Sequence, residues 1–351
     1  MRPAEALLLR IGVLTGGGDC PGLNAAIRAI VVRATELGDE VVGFEEGWKG
    51  PLEGLSRPLT LADVEGILTE GGTVLLTSRT NPFKVENGPK RIAENLAKAR
   101  IDCLIGIGGE DTLGVLAKLS DLGTLAIGVP KTIDADLDAT EYTIGFNTAI
   151  TVATEALDRL HTTARSHKRV LVCEIMGRHA GWMTWAAGIA GGAHAVLLPE
   201  EPFDPEDVAA MVKKRFAAGK RWAVIAVAEG AVPKGGAEVL KAGEKDAFGH
   251  VALGGVAEWL AKDVEKRTGI SARHVVLGHI QRGGSPTVVD RLVATRLGLA
   301  AVDAAHAGRF STMVALRGDE PVLVALSEAV GRLRTVPAAR RREARAFWGA
   351  D

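Results

Sequence analysis

Short aliphatic runs recur along the chain, each followed by a glycine-rich turn and a stretch with helical spacing, and this rhythm limits the fold more than any other feature. The runs fall at 11–14, 41–44, 104–107, 125–129, 170–175, 195–198, 223–228 and 274–277. They are continuous rather than alternating, which marks strands buried on both faces, and the intervening segments repeat apolar residues at helical spacing, as at 23–37, 111–119, 148–160 and 251–264. Strands and helices in strict alternation predict an α/β fold of mostly parallel sheets, with ligands bound at the carboxyl ends of the strands. The 43 glycines and the 4% aromatic content suit many tight strand-to-helix turns around an aliphatic core. The 351 residues exceed what one hydrophobic core normally organises, so two lobes with a cleft between them are expected.

Charge narrows the partners. With 42 basic and 43 acidic residues the formal charge is −1, too little to draw in nucleic acid or an anionic membrane, so any anion site is local. Cys20, Cys103 and Cys173 are odd in number and lack the spacing of a disulfide framework or zinc site. Reduced thiols and a cytoplasmic location are expected. The apolar run 6–9 is too short for a signal peptide, and no segment approaches a membrane span. The segment 332–351 reads as a helix whose Arg340, Arg341 and Arg342 form a solvated basic face.

Five strand ends carry candidate chemistry. After the first strand comes TGGGDCPG, residues 15–22, with a helix starting near Leu23; its glycines allow close backbone approach, and free N–H groups at a helix start favour phosphate. The same glycines serve any tight turn, and the run has neither a P-loop ending nor dinucleotide spacing. The second site is GGEDT, 108–112, where Glu110 and Asp111 can cap a helix or hold a hard cation. In PKTIDAD, 130–136, extended spacing puts Asp134 and Asp136 on one side, next to Lys131 and Thr132. One acid can accept a hydroxyl proton while the other holds a metal or orients its neighbour. EIMGRHAG, 174–181, and LGHIQRGGSP, 277–286, add Arg178 and Arg282, whose forked guanidinium groups suit phosphate.

Taken in order, these motifs resemble the phosphofructokinase family from residue 11 to about 308. The resemblance implies two Rossmann-like lobes: a larger donor-phosphate lobe, 1–145 plus 281–331, and a smaller sugar-phosphate lobe, 146–280 plus 332–351. It implies Mg²⁺-dependent phosphoryl transfer to the 1-hydroxyl of fructose 6-phosphate, with Asp134 as base and Thr132, Lys131 and Asp136 supporting it. Met176, Gly177, Arg178, Glu229, His279 and Arg282 match the sugar-phosphate pocket. Arg169 and Arg273 match residues lent across a subunit interface, so a homodimer or homotetramer with shared sites is implied. Gly17, Arg79 in SRTNPF, Asp111, Thr112 and Lys131 match the donor site, and Glu110 the metal position.

Asp111 and Lys131 stand where ATP-using members of the family usually carry glycine, and resemble its pyrophosphate-dependent branch. A carboxylate there repels a nucleotide α-phosphate, while a lysine can pair with pyrophosphate. ATP dependence and an acceptor such as sedoheptulose 7-phosphate stay open at this point, as does a silent sugar-phosphate sensor, against which the retained Asp134 argues. Three positions depart from the family pattern: Glu110 replaces the usual Asp, Ala135 the usual Asn between the acids, and Val32 a regulatory arginine, so control by nucleotides is not expected.

Overall fold

The computed structural model describes residues 8–236 and 254–349. The first three residues of the expected helix 251–264 lie outside them, as do residues 6 and 7 of the opening apolar run.

Eleven strands form two sheets among the described residues. One contains β1 (Arg10–Thr15), β2 (Glu40–Phe44), β3 (Ser56–Leu59), β4 (Cys103–Gly108), β5 (Ala126–Pro130), β10 (Thr312–Arg317) and β11 (Glu320–Ala325), in the order β11-β10-β5-β4-β1-β2-β3. The other contains β6 (Val170–Ile175), β7 (Ala195–Leu197), β8 (Ala223–Ala228) and β9 (Ala272–Val276), in the order β7-β8-β6-β9, every pairing parallel. In the larger sheet the interior pairings are parallel and the two outer ones, β2 with β3 and β10 with β11, are antiparallel. The α/β class with mostly parallel sheets therefore holds. The sequence reading missed β3, β10 and β11. β3 and β11 are the half-exposed edges, each carrying a proline, Pro58 and Pro321, whereas β10 is interior and its buried run Met313 to Leu316 is a strand signal that the sequence reading passed over. Edge strand β9 is also largely exposed, unlike the fully covered strands expected.

Alternation along the strands builds three apolar layers. Ile11, Val13, Ile105, Ile107, Ile127 and Val129 of the large sheet and Leu171, Cys173, Ile175, Val224 and Ala226 of the small one point into a single shared cluster. Their neighbours in sequence, such as Leu104 and Ala126, face a separate cluster behind the large sheet. Val170, Val172, Ile225 and Val227 do the same behind the small sheet. All three cysteines are buried and unpaired, and burial pushes each thiol up to about 12.

The chain leaves the large sheet along the helix Phe146–His167, which packs on β6, β8 and the helix Trp182–Ala190, and returns through the short turn Gly278–Arg282 and the helix Val288–His306. Both crossings are pinned at one point. Asp290 is fully buried and accepts from Gly145 N at 2.9 Å, Thr148 N at 2.7 Å, the Thr148 hydroxyl and the Tyr142 hydroxyl. It thus satisfies the free amides at the start of one crossing helix from the first turn of the other. The last segment is helical only over Ala338–Ala346, which packs against β7 and the helix Trp182–Ala190. The expected solvated basic face holds for Arg340 and Arg342, which are exposed, and only Arg341 is half-buried. Arg340 lies over the Trp185 ring, Arg341 donates to Val336 O, and Arg345 pairs with Glu201.

Candidate active site

The carboxyl ends of β1, β4 and β5 meet the loop after β6 and the turn after β9 around one cleft of about 200 Å³. It is lined by Gly17, Gly18 and Arg79, by residues 109–112 and 131–134, and by Asp136, Arg178, His179, Ala180, Arg282 and Leu333.

The glycines of the first loop are a packing requirement. A Cβ on Gly16 would lie 2.5 Å from the Thr112 hydroxyl, so the loop packs this closely on Thr112 only as glycine, and one on Gly18 would displace the Arg282 guanidinium. Arg282 Nη1 also donates to Asp19 O at 3.2 Å. The start of the helix Leu23–Leu37 is not part of the cleft: its cap, Gly22, packs on Ile144 and Asp290. The helix whose start faces the cleft is Glu110–Asp121, with Glu110 and Asp111 in its first turn, where the positive end of the helix favours anions.

Lys131 is 3% exposed and turned into the first loop. Its Nζ donates to Gly16 O at 2.9 Å and to Gly18 O, which leaves one of its three donors for a ligand. Burial, the largest influence, pulls its pKa below the ordinary lysine range.

The two acids of the third loop share an environment. Burial raises Asp134 above the ordinary carboxylate range, against the pull of Arg282, Arg178, Lys131 and His179. Burial and then the charge of Asp134 push Asp136 up to about 7, with Glu110 adding to the same effect. Thr132 braces the turn: its hydroxyl accepts from Asp134 N at 3.1 Å and bonds the Asp136 carboxylate. Asp136 Oδ1 is buried without a hydrogen-bond partner. Two coupled acids with raised affinity for a proton, in a cleft with two arginines, are what proton transfer beside an anionic substrate requires.

Of the residues singled out in the sequence, the cleft brings together Gly17, Arg79, Glu110, Asp111, Thr112, Lys131, Thr132, Asp134, Asp136, Arg178 and Arg282. Met176, Gly177, Glu229 and His279 lie on the adjoining strand ends without lining it. Met176 N donates to the buried Gln281 Oε1 at 3.0 Å, and Gly230 N to Gly177 O at 3.1 Å, so these loops brace one another. Arg169 and Arg273 are not brought to the cleft. Arg169 immediately precedes β6, about 20 Å of strand from its carboxyl end, and Arg273 is the second residue of β9, about 10 Å from its end. Gly18, Gly109, Ile133, His179, Ala180 and Leu333 also line the cleft, although the sequence reading gave them no individual role. The first five belong to the quoted motifs, whereas nothing in the sequence marks Leu333.

A cleft that gathers buried carboxylates, a lysine and three arginines at the strand ends of two α/β sheets has the donor and acceptor groups that phosphoryl transfer uses. A phosphofructokinase family model matches residues 10–305, and the chain belongs to the phosphofructokinase family. It is 61% identical over 343 residues to the pyrophosphate–fructose 6-phosphate 1-phosphotransferase of Amycolatopsis methanolica, covering 97% of this chain and 100% of that one. It is also 53% identical over 337 residues to ATP-dependent 6-phosphofructokinase 3 of Streptomyces coelicolor, covering 96% and 99%. Among solved structures, phosphofructokinase from Saccharomyces cerevisiae superposes with a TM-score of 0.79 at 31% identity, covering 92% of this chain and 45% of that one. The pyrophosphate-dependent phosphofructokinase from Marinobacter aquaeolei superposes with 0.83 at 22% identity, covering 97% and 91%, a likeness of fold.

Proposed function

We propose that this chain transfers a phosphoryl group from pyrophosphate to the 1-hydroxyl of fructose 6-phosphate, reversibly, giving fructose 1,6-bisphosphate and phosphate. Family membership leaves the donor open, because relatives named for either donor match at over half identity. The observation that carries the reading is that Asp111 and Lys131 both line the cleft. The Asp111 carboxylate occupies the positive helix start that a nucleotide α-phosphate would otherwise use, and like charges there repel. Lys131 keeps a donor for the compact, highly charged pyrophosphate.

In the proposed mechanism Asp134 removes the proton of the 1-hydroxyl as that oxygen attacks the near phosphorus. The bond from that phosphorus to the bridging oxygen breaks, and phosphate leaves with the electron pair. Asp136, with its unpartnered oxygen, and Thr132 hold the acceptor and the base in line. Arg178 and Arg282 bind phosphate oxygens, and Gly17, Arg79, Thr112 and Lys131 hold the donor. The described residues form no cluster of three or more metal-binding side chains. Mg²⁺ is commonly held by one or two carboxylates plus substrate phosphates, and Glu110, close enough to Asp136 to raise its pKa, is the carboxylate that would hold it. Bound Mg²⁺ offsets the charge of the transferring phosphoryl group.

The larger lobe comprises 1–145 plus 281–331 and the smaller 146–280 plus 332–351 in this reading. Met176, Gly177, Glu229 and His279 complete the sugar-phosphate pocket, and Arg169 and Arg273 serve a neighbouring copy in a homodimer or homotetramer. No helix among the described residues is long and apolar enough to cross a membrane, and the enzyme works in the cytoplasm.

The test is parallel assays of purified protein with fructose 6-phosphate and Mg²⁺, one with pyrophosphate and one with ATP. Turnover with pyrophosphate alone is expected. Turnover with ATP alone would overturn the donor assignment, and silence with both would overturn the acceptor.

A further inference from the structure

The segment 332–336 lies beyond the family match, which ends at residue 305, and forms no helix or named strand, yet it is laid along the Asp134 loop. Leu333 forms an antiparallel bridge with Leu137. Arg334 N donates to Asp136 O at 2.8 Å, and Arg334 Nη1 donates to Ala135 O and Glu141 O, each at 3.3 Å. The other face of the same residue meets the small-sheet side. Its guanidinium lies 4.4 Å from the centre of the Trp182 ring, and Trp182 Nε1 donates to Arg334 O at 3.0 Å. Trp182 opens the helix that follows directly on the loop of Arg178. Two residues further, Val336 N donates to Glu200 Oε1 at 2.8 Å, the oxygen that also receives Gly181 N at 2.9 Å. One extended segment is therefore stitched both to the loop of the acids and to the loop of the clamping arginine.

The backbone it holds is in an unfavourable conformation. Ala135, buried between the two acids, has φ +51°, in the left-handed region that a side chain with a Cβ and no local hydrogen bond disfavours. Such a residue keeps its conformation only where its surroundings over-determine it. Arg334 bonds both Ala135 O and Asp136 O, the carbonyls that flank this turn.

We propose that Arg334 is a positioning residue: it locks the left-handed turn at Ala135 and, through Trp182, fixes the distance between Asp134 and Arg178. The inference rests on the reading of Asp134 as the base. Replacing Arg334 by Ala removes the Nη1 bonds and the stacking while leaving its backbone N–H in place. Full-length Arg334→Ala is expected to lose about 10- to 100-fold in kcat with little change in KM for pyrophosphate, because misplacing a catalytic group costs rate rather than remote binding. Adding Ala135→Gly, which adopts positive φ without steric cost, should recover about fivefold or more of that loss. Hydrogen exchange supplies a readout independent of activity: amides 134–137 should exchange at least about tenfold faster in Arg334→Ala, with the rest of the protein unchanged. If the wild type turns over neither donor, the functional reading fails while the lock is still decided by exchange. Unchanged kcat, unchanged exchange, or a double variant no better than the single one would each overturn the proposal. Should Arg334→Ala not fold, Arg334→Lys carries the same tests, since it keeps the charge but loses the planar stack.

Discussion

At the scale of single residues, the coupled pair Asp134 and Asp136 makes the most direct prediction. A base must be ionised to accept the hydroxyl proton, and burial holds Asp134 above the usual carboxylate range. Below its folded pKa the acid is protonated and idle, so kcat/KM should rise with pH along an acid limb placed higher than an ordinary aspartate would give. Asp136→Asn removes a neighbouring negative charge, which should move that limb to lower pH; a limb that stays in place would show the two acids to be uncoupled. Asp134→Asn should keep the fold and lower turnover by about 10²- to 10⁴-fold, the usual contribution of a general base. Near-normal turnover in that variant would remove Asp134 from the role. The pair was legible from the sequence because its spacing in an extended segment is enough to place both acids on one side. Arg334 was not, since a lone arginine in a segment without a motif acquires its role only from what the fold lays beside it.

At the scale of elements, the parallel strands and the helices between them were readable because burial on both faces leaves continuous aliphatic runs. The antiparallel edges β3 and β11, half exposed and each carrying a proline, are harder to read, whereas β10 carries a buried run, Met313 to Leu316, that the reading passed over. The glycine-rich first loop allowed either a phosphate site at a helix start or a plain tight turn; its Gly17 and Gly18 line the cleft, while the helix start that faces the cleft is that of Glu110–Asp121. A turn motif alone does not tell which of two adjacent helices points at the cleft. The knot of the two crossings was equally hidden, because Asp290 is 145 residues from Gly145 and only the fold makes them partners. Its carboxylate accepts from four donors, whereas an amide offers one acceptor oxygen. Asp290→Asn should therefore leave buried donors unpaired and destabilise the protein by about 2–4 kcal/mol, read from chemical denaturation. A change below about 0.5 kcal/mol, typical of a surface substitution, would show that the crossings are held elsewhere.

At the scale of the whole molecule, the position of Arg169 and Arg273 sets a geometric question. Neither residue lines the cleft, and both lie toward the amino ends of their strands. Arg273 is largely exposed and held by Glu265 at 3.4 Å, an ion pair that a phosphate could replace. If each site borrows these arginines from a neighbouring copy, then Arg273→Ala damages the neighbour's site while Asp134→Asn damages its own. Each pure variant should be inactive or severely impaired. In a mixed oligomer, a site with an intact Asp134 from one chain and an intact Arg273 from the other is whole, while the reciprocal site carries both defects. Mixing the two variants under conditions that allow subunit exchange should consequently restore turnover, up to about half of the sites in each hybrid pair for isologous pairing. Sites complete within one chain predict no gain, because no exchange of subunits can then unite the two intact residues. The outcome also separates the two roles of the arginine: a purely structural Arg273 would lower stability in its own chain and give no complementation by a partner that lacks only the base.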